Sequence, residues 1–197
     1  TTLSQGQGGQ PVIPLLLIFL AILQIDRHPT VSWDVPIYLL ISGITLTAMI
    51  IEVFRRQKKP LLNISILVFS FIWIGIMLGS LSILRNLPGI GFRVTFALFL
   101  SVWICDTSAF FFGKKFGKRK ILPAVSPNKT WVGTIAGFIS SIIFMLILYR
   151  YDFFSGMVST TDVIAIGIIA GGFGQLGDWA ESLLKREAGL KDTSNFL

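Results

Sequence analysis

Two aspartates interrupt long apolar stretches of the chain. Asp106 lies in "SVWICDTSAFFFGKKFGK" and Asp178 in "GGFGQLGDWAESLLKREAGLKD". An ionised aspartate in hydrocarbon costs about 2.5–3.5 kcal/mol on insertion scales, so an acid retained there needs a partner or a task. Thr107 and Ser108 beside Asp106 can donate hydrogen bonds. A polar contact between helices or a helix-end cap is the plain reading of Asp106, and a functional acid is the favoured one. Asp178, Glu181, Ser182 and Lys185 recur at the spacing of one helical face. Glu181 and Lys185 form an i,i+4 pair worth about 0.2–0.5 kcal/mol. That pair accounts for two of the charges but not for Asp178, deeper in the apolar run. Two carboxylates converging from different segments suggest a divalent cation. Magnesium takes oxygen ligands, commonly one or two carboxylates plus substrate phosphates.

Between the two acids runs "ILPAVSPNKTWVGTIAG". Ser126, Asn128, Lys129 and Thr130 form a compact polar group just before an apolar run, and Pro127 is expected to fix a turn there. A helix starting at this point offers free backbone N–H groups, which favour phosphate, and Lys129 adds a full charge. A capping hydroxyl with an ordinary cytoplasmic lysine is the plain alternative.

These residues must be carried by membrane helices. Of 197 residues, 53% are hydrophobic and only 14% charged, against about 25% charged in soluble domains. A spanning helix needs about 20 mostly apolar residues. Six runs qualify or approach this, roughly 12–25, 35–54, 62–84, 94–112, 131–149 and 163–180. The first is short, and it is not a convincing signal peptide, because no basic region precedes it. The fold expected is all-α and polytopic, with about six transmembrane helices. N-terminal membrane helices fill 1–100, and a catalytic half with its cytoplasmic loops fills 101–197. Thirteen of the 17 bases fall in alternate loops, around Arg55–Lys59, Lys114–Lys129 and Lys185–Lys191, and the other four are Arg27, Arg85, Arg93 and Arg150. Positive residues gather on the cytoplasmic side, so the first group marks the cytoplasm, and both termini face it. Asp106, roughly 18 Å from the outer end of its span at 1.5 Å per residue, then lies in the cytoplasmic half. Part of the net charge of +7 can serve anionic lipid headgroups. No nucleic-acid module is visible.

Several features carry little. The single Cys105 excludes an internal disulfide framework and reads as a small buried apolar residue. "GFGQLG", Gly172 to Gly177, matches a dinucleotide fingerprint literally but lacks a βαβ unit. "GKKFGKRK" has the wrong spacing for a Walker loop. The pairs Gly75/Gly79, Gly133/Gly137 and Gly167/Gly171 have the spacing that lets helices approach closely in lipid. His28 falls in an expected outer loop and receives no role.

Taken together, "CDTSAFFFGKKFGKRK…SPNKTWVGTIAG" and "GDWAESLLKREAGLKD" resemble the phosphatidate cytidylyltransferase (CDP-diacylglycerol synthase) family over about Ser101 to Leu197. The spacing of Ser182, Lys185, Arg186, Lys191 and Asp192 matches the start of that family's signature. The earlier spans resemble it only in hydropathy. The resemblance implies transfer of the cytidylyl group of CTP to phosphatidic acid, giving CDP-diacylglycerol and pyrophosphate. It implies Asp178 as a Mg²⁺ ligand and Asp106 as a second acidic member of the metal site, with room for a second cation. Lys129, Lys185, Arg186 and Lys191 would hold phosphates. Ser126, Asn128 and Thr130 would orient them, with Ser182 on the substrate side. Asp192 would pair with a base or touch the nucleotide. The site would face the cytoplasm, where CTP is. Oligomeric state stays open, with a homodimer as one candidate. In the family the signature continues into Pro-Gly-His-Gly-Gly and then Asp-Arg-x-x-Asp. The sequence here ends at Leu197, so this chain by itself is expected to insert in a membrane without turning over. Two other readings remain. A CTP-dependent lipid kinase of the dolichol or phytol type would transfer the γ-phosphoryl group to an alcohol, and an ion-coupled transporter would use intramembrane acids without nucleotide turnover.

The first expected outcome separates Lys129 from the general basic rim. Lys129→Ala should weaken CTP use more than Lys58→Ala, though both lysines are expected in cytoplasmic loops. Losing one charge-assisted phosphate contact costs about 1.5–3 kcal/mol, or roughly 10- to 150-fold in kcat/KM. Equal small effects, measured over a CTP titration, would reduce the Ser126–Thr130 group to a topological signal.

Overall fold

A computed structural model describes residues 17–22, 36–55 and 59–187. Most of the first apolar run, His28, Arg56, Lys58, Lys191 and Asp192 lie outside the described residues. Five helices there are long and apolar enough to cross a membrane. We label them α1 (Ile37–Phe54 within Ile37–Arg55), α2 (Pro60–Arg85), α3 (Gly91–Phe116), α4 (Trp131–Arg150) and α5 (Thr160–Glu187). The expected spans are therefore present from the second onward, and residues 17–22 of the first run are helical.

Local chemistry sets the boundaries. α2 starts with Pro60 at its first turn, behind Lys59 in the left-handed region (φ 65°). Proline suits that position because its missing N–H would be an orphan there anyway. Within α2, Phe71–Ile76 is π-helical. α5 begins with a reciprocal cap: Ser159 N–H donates to Asp162 Oδ2 (2.9 Å), and Asp162 N–H donates to Ser159 Oγ (3.2 Å). This satisfies donors that the first helical turn leaves unpaired.

The described residues form two compact units, one up to Pro88 and one from Gly89. The division falls between Pro88 and Gly89, before α3. α3 is one unbroken helix, so its apolar first half and its acid belong together. In the first unit Leu40, Ile44 and Ala48 of α1 pack with Leu67 and Phe71 of α2. Glu52 is buried there and accepts from Asn63 Nδ2 at 3.2 Å.

The second unit is a three-helix bundle. α3 and α4 run antiparallel: a Cβ at Gly133 would lie 2.5 Å from Ala109 O, and one at Gly137 would lie 2.7 Å from Cys105 O. α4 and α5 are also antiparallel, with Gly167 against Ile142 Cα (2.9 Å to an added Cβ) and Gly171 against Phe138 Cα (3.1 Å). Backbone therefore meets backbone at both interfaces, as the four-residue glycine spacing implied. Ser141, fully buried, lies 2.9 Å from Gly167 O and ties α4 to α5. The outward face of α3 is aromatic, with Phe92, Phe96, Phe99 and Trp103 exposed.

The all-α expectation holds, with one short hairpin between α3 and α4. Lys120–Leu122 (β1) and Ser126–Thr130 (β2) form an antiparallel hairpin. The turn lies at Leu122–Val125, where Val125 N–H donates to Leu122 O (3.1 Å), so Pro127 sits in a strand and not in the turn. The register pairs Lys120 with Thr130 and Leu122 with Ser126, with an irregularity between. Pro127 has no N–H for the ladder, and the surplus residues of β2 bulge.

The glycine contacts generate a stability test. Gly137→Ala should lower the thermal stability of the detergent-solubilised protein by the equivalent of about 1–3 kcal/mol, typical of overpacking. Gly172→Ala should be nearly silent, because its Cβ would meet only Phe138 Cε2 at 3.7 Å. Equal unfolding temperatures for the two variants would contradict the backbone contact at Gly137.

Candidate active site

The ends of α3 and α5, the start of α4 and strand β2 enclose a cavity of about 660 Å³, within the usual range for small-molecule sites. It lies at the basic end of the bundle, with Lys114, Lys120 and Lys129 on its wall. Arg93 and Arg150 mark the opposite helix ends.

α3 extends four residues past the expected Phe112, to Phe116. Asp106 is thus about 15 Å inside that end at 1.5 Å per residue. α5 likewise continues past Ala180 to Glu187, so Asp178 and Ser182 stand on one helix. Asp106 and Asp178 are the two carboxylates on the cavity wall. Lys129 bridges the segments: its ammonium pairs with Asp178 and lies 5.5 Å from the centre of the Trp179 ring. The two charged side chains are 23% and 48% exposed, so both can reach a ligand.

The hairpin supplies the facing wall. Ser126, Asn128, Lys129 and Thr130 all line the cavity, as the polar group before α4 suggested. Their duties differ. Thr130 is buried and its Oγ1 accepts from Gly133 N–H at 3.2 Å, a helix N-cap. Trp131 N–H donates to Arg119 O (3.1 Å). Two of the first three helical N–H groups are therefore used within the protein, which leaves Lys129 and Asn128 as the prominent donors of this segment. Gly113, Gly117 and Gly133 surround Thr130, and a Cβ at Gly117 would collide with its side chain.

Other expected residues lie elsewhere. Ser182 lines the cavity, whereas Lys185 and Arg186 are not on its wall. Lys185 pairs with Glu181 (2.9 Å) in the i,i+4 geometry expected from their spacing. Arg186 Nε donates to Val125 O (3.5 Å) at the hairpin turn, reaching the loop instead of the cavity. Lys191 and Asp192 fall outside the described residues. Cys105 is buried, as expected. "GFGQLG" is continuous α5 helix, which removes any dinucleotide loop.

The structure adds Lys114, Lys120 and Gln175 to the wall. The lysines were legible only as part of a basic rim. Gln175 did carry a signal, being a polar side chain within an apolar span, three residues before Asp178.

The wall can be tested against a metal ion from its donors. Among the described residues no cluster of three or more His, Cys, Asp or Glu could hold one. Two carboxylates on a wall that also carries Ser126, Asn128 and Ser182 do not make a closed cage. They do fit magnesium, which keeps several waters and completes its shell with substrate phosphate.

A family model described as the cytidylyltransferase family matches residues 2–197. The phosphatidate cytidylyltransferase of Haemophilus influenzae is 34% identical over 148 residues, covering 72% of this chain and 50% of the relative. That of Staphylococcus saprophyticus is 42% identical over 99 residues, covering 50% and 37%. That of Chlamydia muridarum is 40% identical over 111 residues, covering 55% and 36%. The chain thus spans half or less of the length of these curated relatives.

The Thr130 cap makes a prediction independent of chemistry. Thr130→Ala should destabilise the bundle by about 0.5–2 kcal/mol, the usual cost of a lost N-cap, while Thr130→Ser should retain most of the stability. Thermal unfolding in detergent measures both, and equal losses would show that the hydroxyl is not the stabilising group.

Proposed function

The chain belongs to the cytidylyltransferase family, and from that premise we propose that it carries the phosphate- and cation-binding part of an integral membrane phosphatidate cytidylyltransferase. The substrates would be CTP and phosphatidic acid, and the products CDP-diacylglycerol and pyrophosphate. The names of the relatives favour this reading over a lipid kinase or a transporter. The observation that carries it is the meeting of two intramembrane aspartates with Lys129, Asn128 and Ser126 in one cavity at the basic end of the bundle.

The reaction asks the protein mainly to position charge. An oxygen of the phosphatidate phosphate attacks the α-phosphorus of CTP. The bond from that phosphorus to the oxygen bridging the β-phosphate breaks, and pyrophosphate leaves with the bonding pair. Two anions must be held in line for this, so cationic side chains are needed beside them. Lys129 is central because it already balances Asp178. A triphosphate would compete for its ammonium, and a cation would compete for the carboxylate so released. Lys114 and Lys120 add positive charge to the same wall. Lys114 Nζ lies over Phe110 at 5.6 Å, which supports the side chain against an apolar surface. Asn128 and Ser126 would orient phosphate oxygens by hydrogen bonds. Asp106 and Asp178 would hold Mg²⁺. When bound, that ion neutralises phosphate oxygens and polarises the reacting phosphorus. The basic end would face the cytoplasm by the positive-inside rule, on the side where CTP is made available. Phosphatidic acid would arrive from the same leaflet, and the exposed apolar helix faces would contact lipid. A homodimer is compatible with this arrangement.

Labelled CTP tests the reading in the full-length protein. Label at the α-phosphorus should appear in lipid, whereas γ-label should leave in pyrophosphate. Lipid carrying γ-label would instead identify a kinase. Asp178→Asn should lower cytidylyl transfer by more than about 100-fold, beyond the usual cost of losing an outer-shell group, with membrane insertion unchanged. Near-normal turnover at ordinary Mg²⁺ would remove Asp178 from the metal site.

A further inference from the structure

Gln175 has chemistry that phosphate and cation binding leave unused. It is 6% exposed, lines the cavity, and sits on α5 one helical turn deeper than Asp178, about 4.5 Å at 1.5 Å per residue. Its Nε2 donates to Gly171 O at 2.9 Å and to Thr134 O at 3.1 Å, with Cys105 Sγ at 3.4 Å. An amide nitrogen has two hydrogens, and a carbonyl can only accept. The two carbonyls therefore occupy both hydrogens. They also fix which end of the amide is which, because the flipped amide would set oxygen against oxygen.

The opposite atom, Oε1, is thus an oriented acceptor. None of the hydrogen bonds of Gln175 involves it. Among the described residues Oε1 is not one of the fully enclosed side-chain polar atoms that lack a partner, and its residue lines the cavity. Oε1 is therefore the polar atom of Gln175 left for a ligand there. Lys129 pairs with Asp178, and one turn away on α5 a fixed oxygen calls for a hydrogen-bond donor.

We propose that Gln175 Oε1 accepts a hydrogen bond from the exocyclic amine of the cytosine ring, so that the cavity selects cytosine over uracil. This rests on the cytidylyltransferase reading and deepens it. At the ring position where cytosine carries an amine, uracil carries an oxygen. Gln175 has no hydrogen left to meet that oxygen, and its own lone pairs repel it. The Gly171 and Thr134 carbonyls prevent the amide from turning to accommodate uracil. Gln175 is then a specificity-determining residue whose rigidity comes from α4 and α5 together.

The test uses the full-length protein and compares CTP with UTP, both in equilibrium binding and in transfer to phosphatidic acid. Gln175→Met keeps an unbranched side chain of similar length but removes the acceptor. It should lower the CTP/UTP ratio of kcat/KM by roughly 5- to 150-fold, the range of one base-edge contact, mainly through loss of CTP use. A folded variant with an unchanged ratio overturns the proposal. If Gln175→Met does not fold, Gln175→Asn withdraws the oxygen by one methylene while keeping an amide, and an unchanged ratio there is equally decisive against it. A raised Mg²⁺ requirement with an unchanged nucleotide ratio would assign Oε1 to a hydrated cation and overturn the base contact. Failure of the unsubstituted protein to transfer the α-label of CTP to lipid would overturn the functional reading and this inference with it. Transfer with an unaltered ratio in the variant overturns this inference alone.

Discussion

The second unit depends on the close approach of three helix backbones. At Gly133 and Gly137 the surface of α4 has no Cβ to hold α3 away, and at Gly167 and Gly171 α5 settles against α4 in the same way. In lipid there is little hydrophobic gain from bringing helices together, so close van der Waals packing and a few polar contacts must do it. Ser141 reaching Gly167 O and Gln175 reaching Thr134 O are such contacts. Each needs the short interhelical distance that the glycines provide. The same contacts bring the ends of α3 and α5 to one side of the start of α4, which places Asp106 and Asp178 on one cavity wall.

A charged cavity at this depth needs internal compensation. Lys129 provides it by pairing with Asp178, and the Trp179 ring lies beneath the same ammonium. Lys129 comes from the hairpin and Asp178 from a helix forty-nine residues later, so the pair also fastens β2 to α5. The irregular strand makes this geometry accessible. Pro127 cannot donate to the ladder, and the residues that follow it depart from regular pairing. Asn128 and Lys129 consequently line the cavity. Thr130 then closes the strand and caps α4, so one five-residue segment both shapes the site and starts the helix beneath it.

The sequence determined the apolar spans, the two acids within them, the basic end and the glycine spacing, because each is a property of residue type and period. Apolar runs long enough to span a membrane stand out in the sequence, and an aspartate within one is legible without coordinates. The Ser126–Thr130 group was visible as chemistry. Its strand pairing was not, because a bulged hairpin has neither the alternation of a strand nor a turn at Pro127. The tertiary structure decided which polar groups share a cavity. Lys185 and Arg186, to which the family resemblance gives phosphates, lie off the cavity wall, where Lys185 pairs with Glu181 and Arg186 reaches Val125 O. Lys114 and Lys120 look like ordinary members of a basic rim, yet they line the cavity. Helical phase and the fold of the hairpin make those assignments. The orientation of Gln175 is the furthest from the sequence. Its acceptor is fixed by carbonyls on two helices, and no reading of one segment alone can supply the second of them.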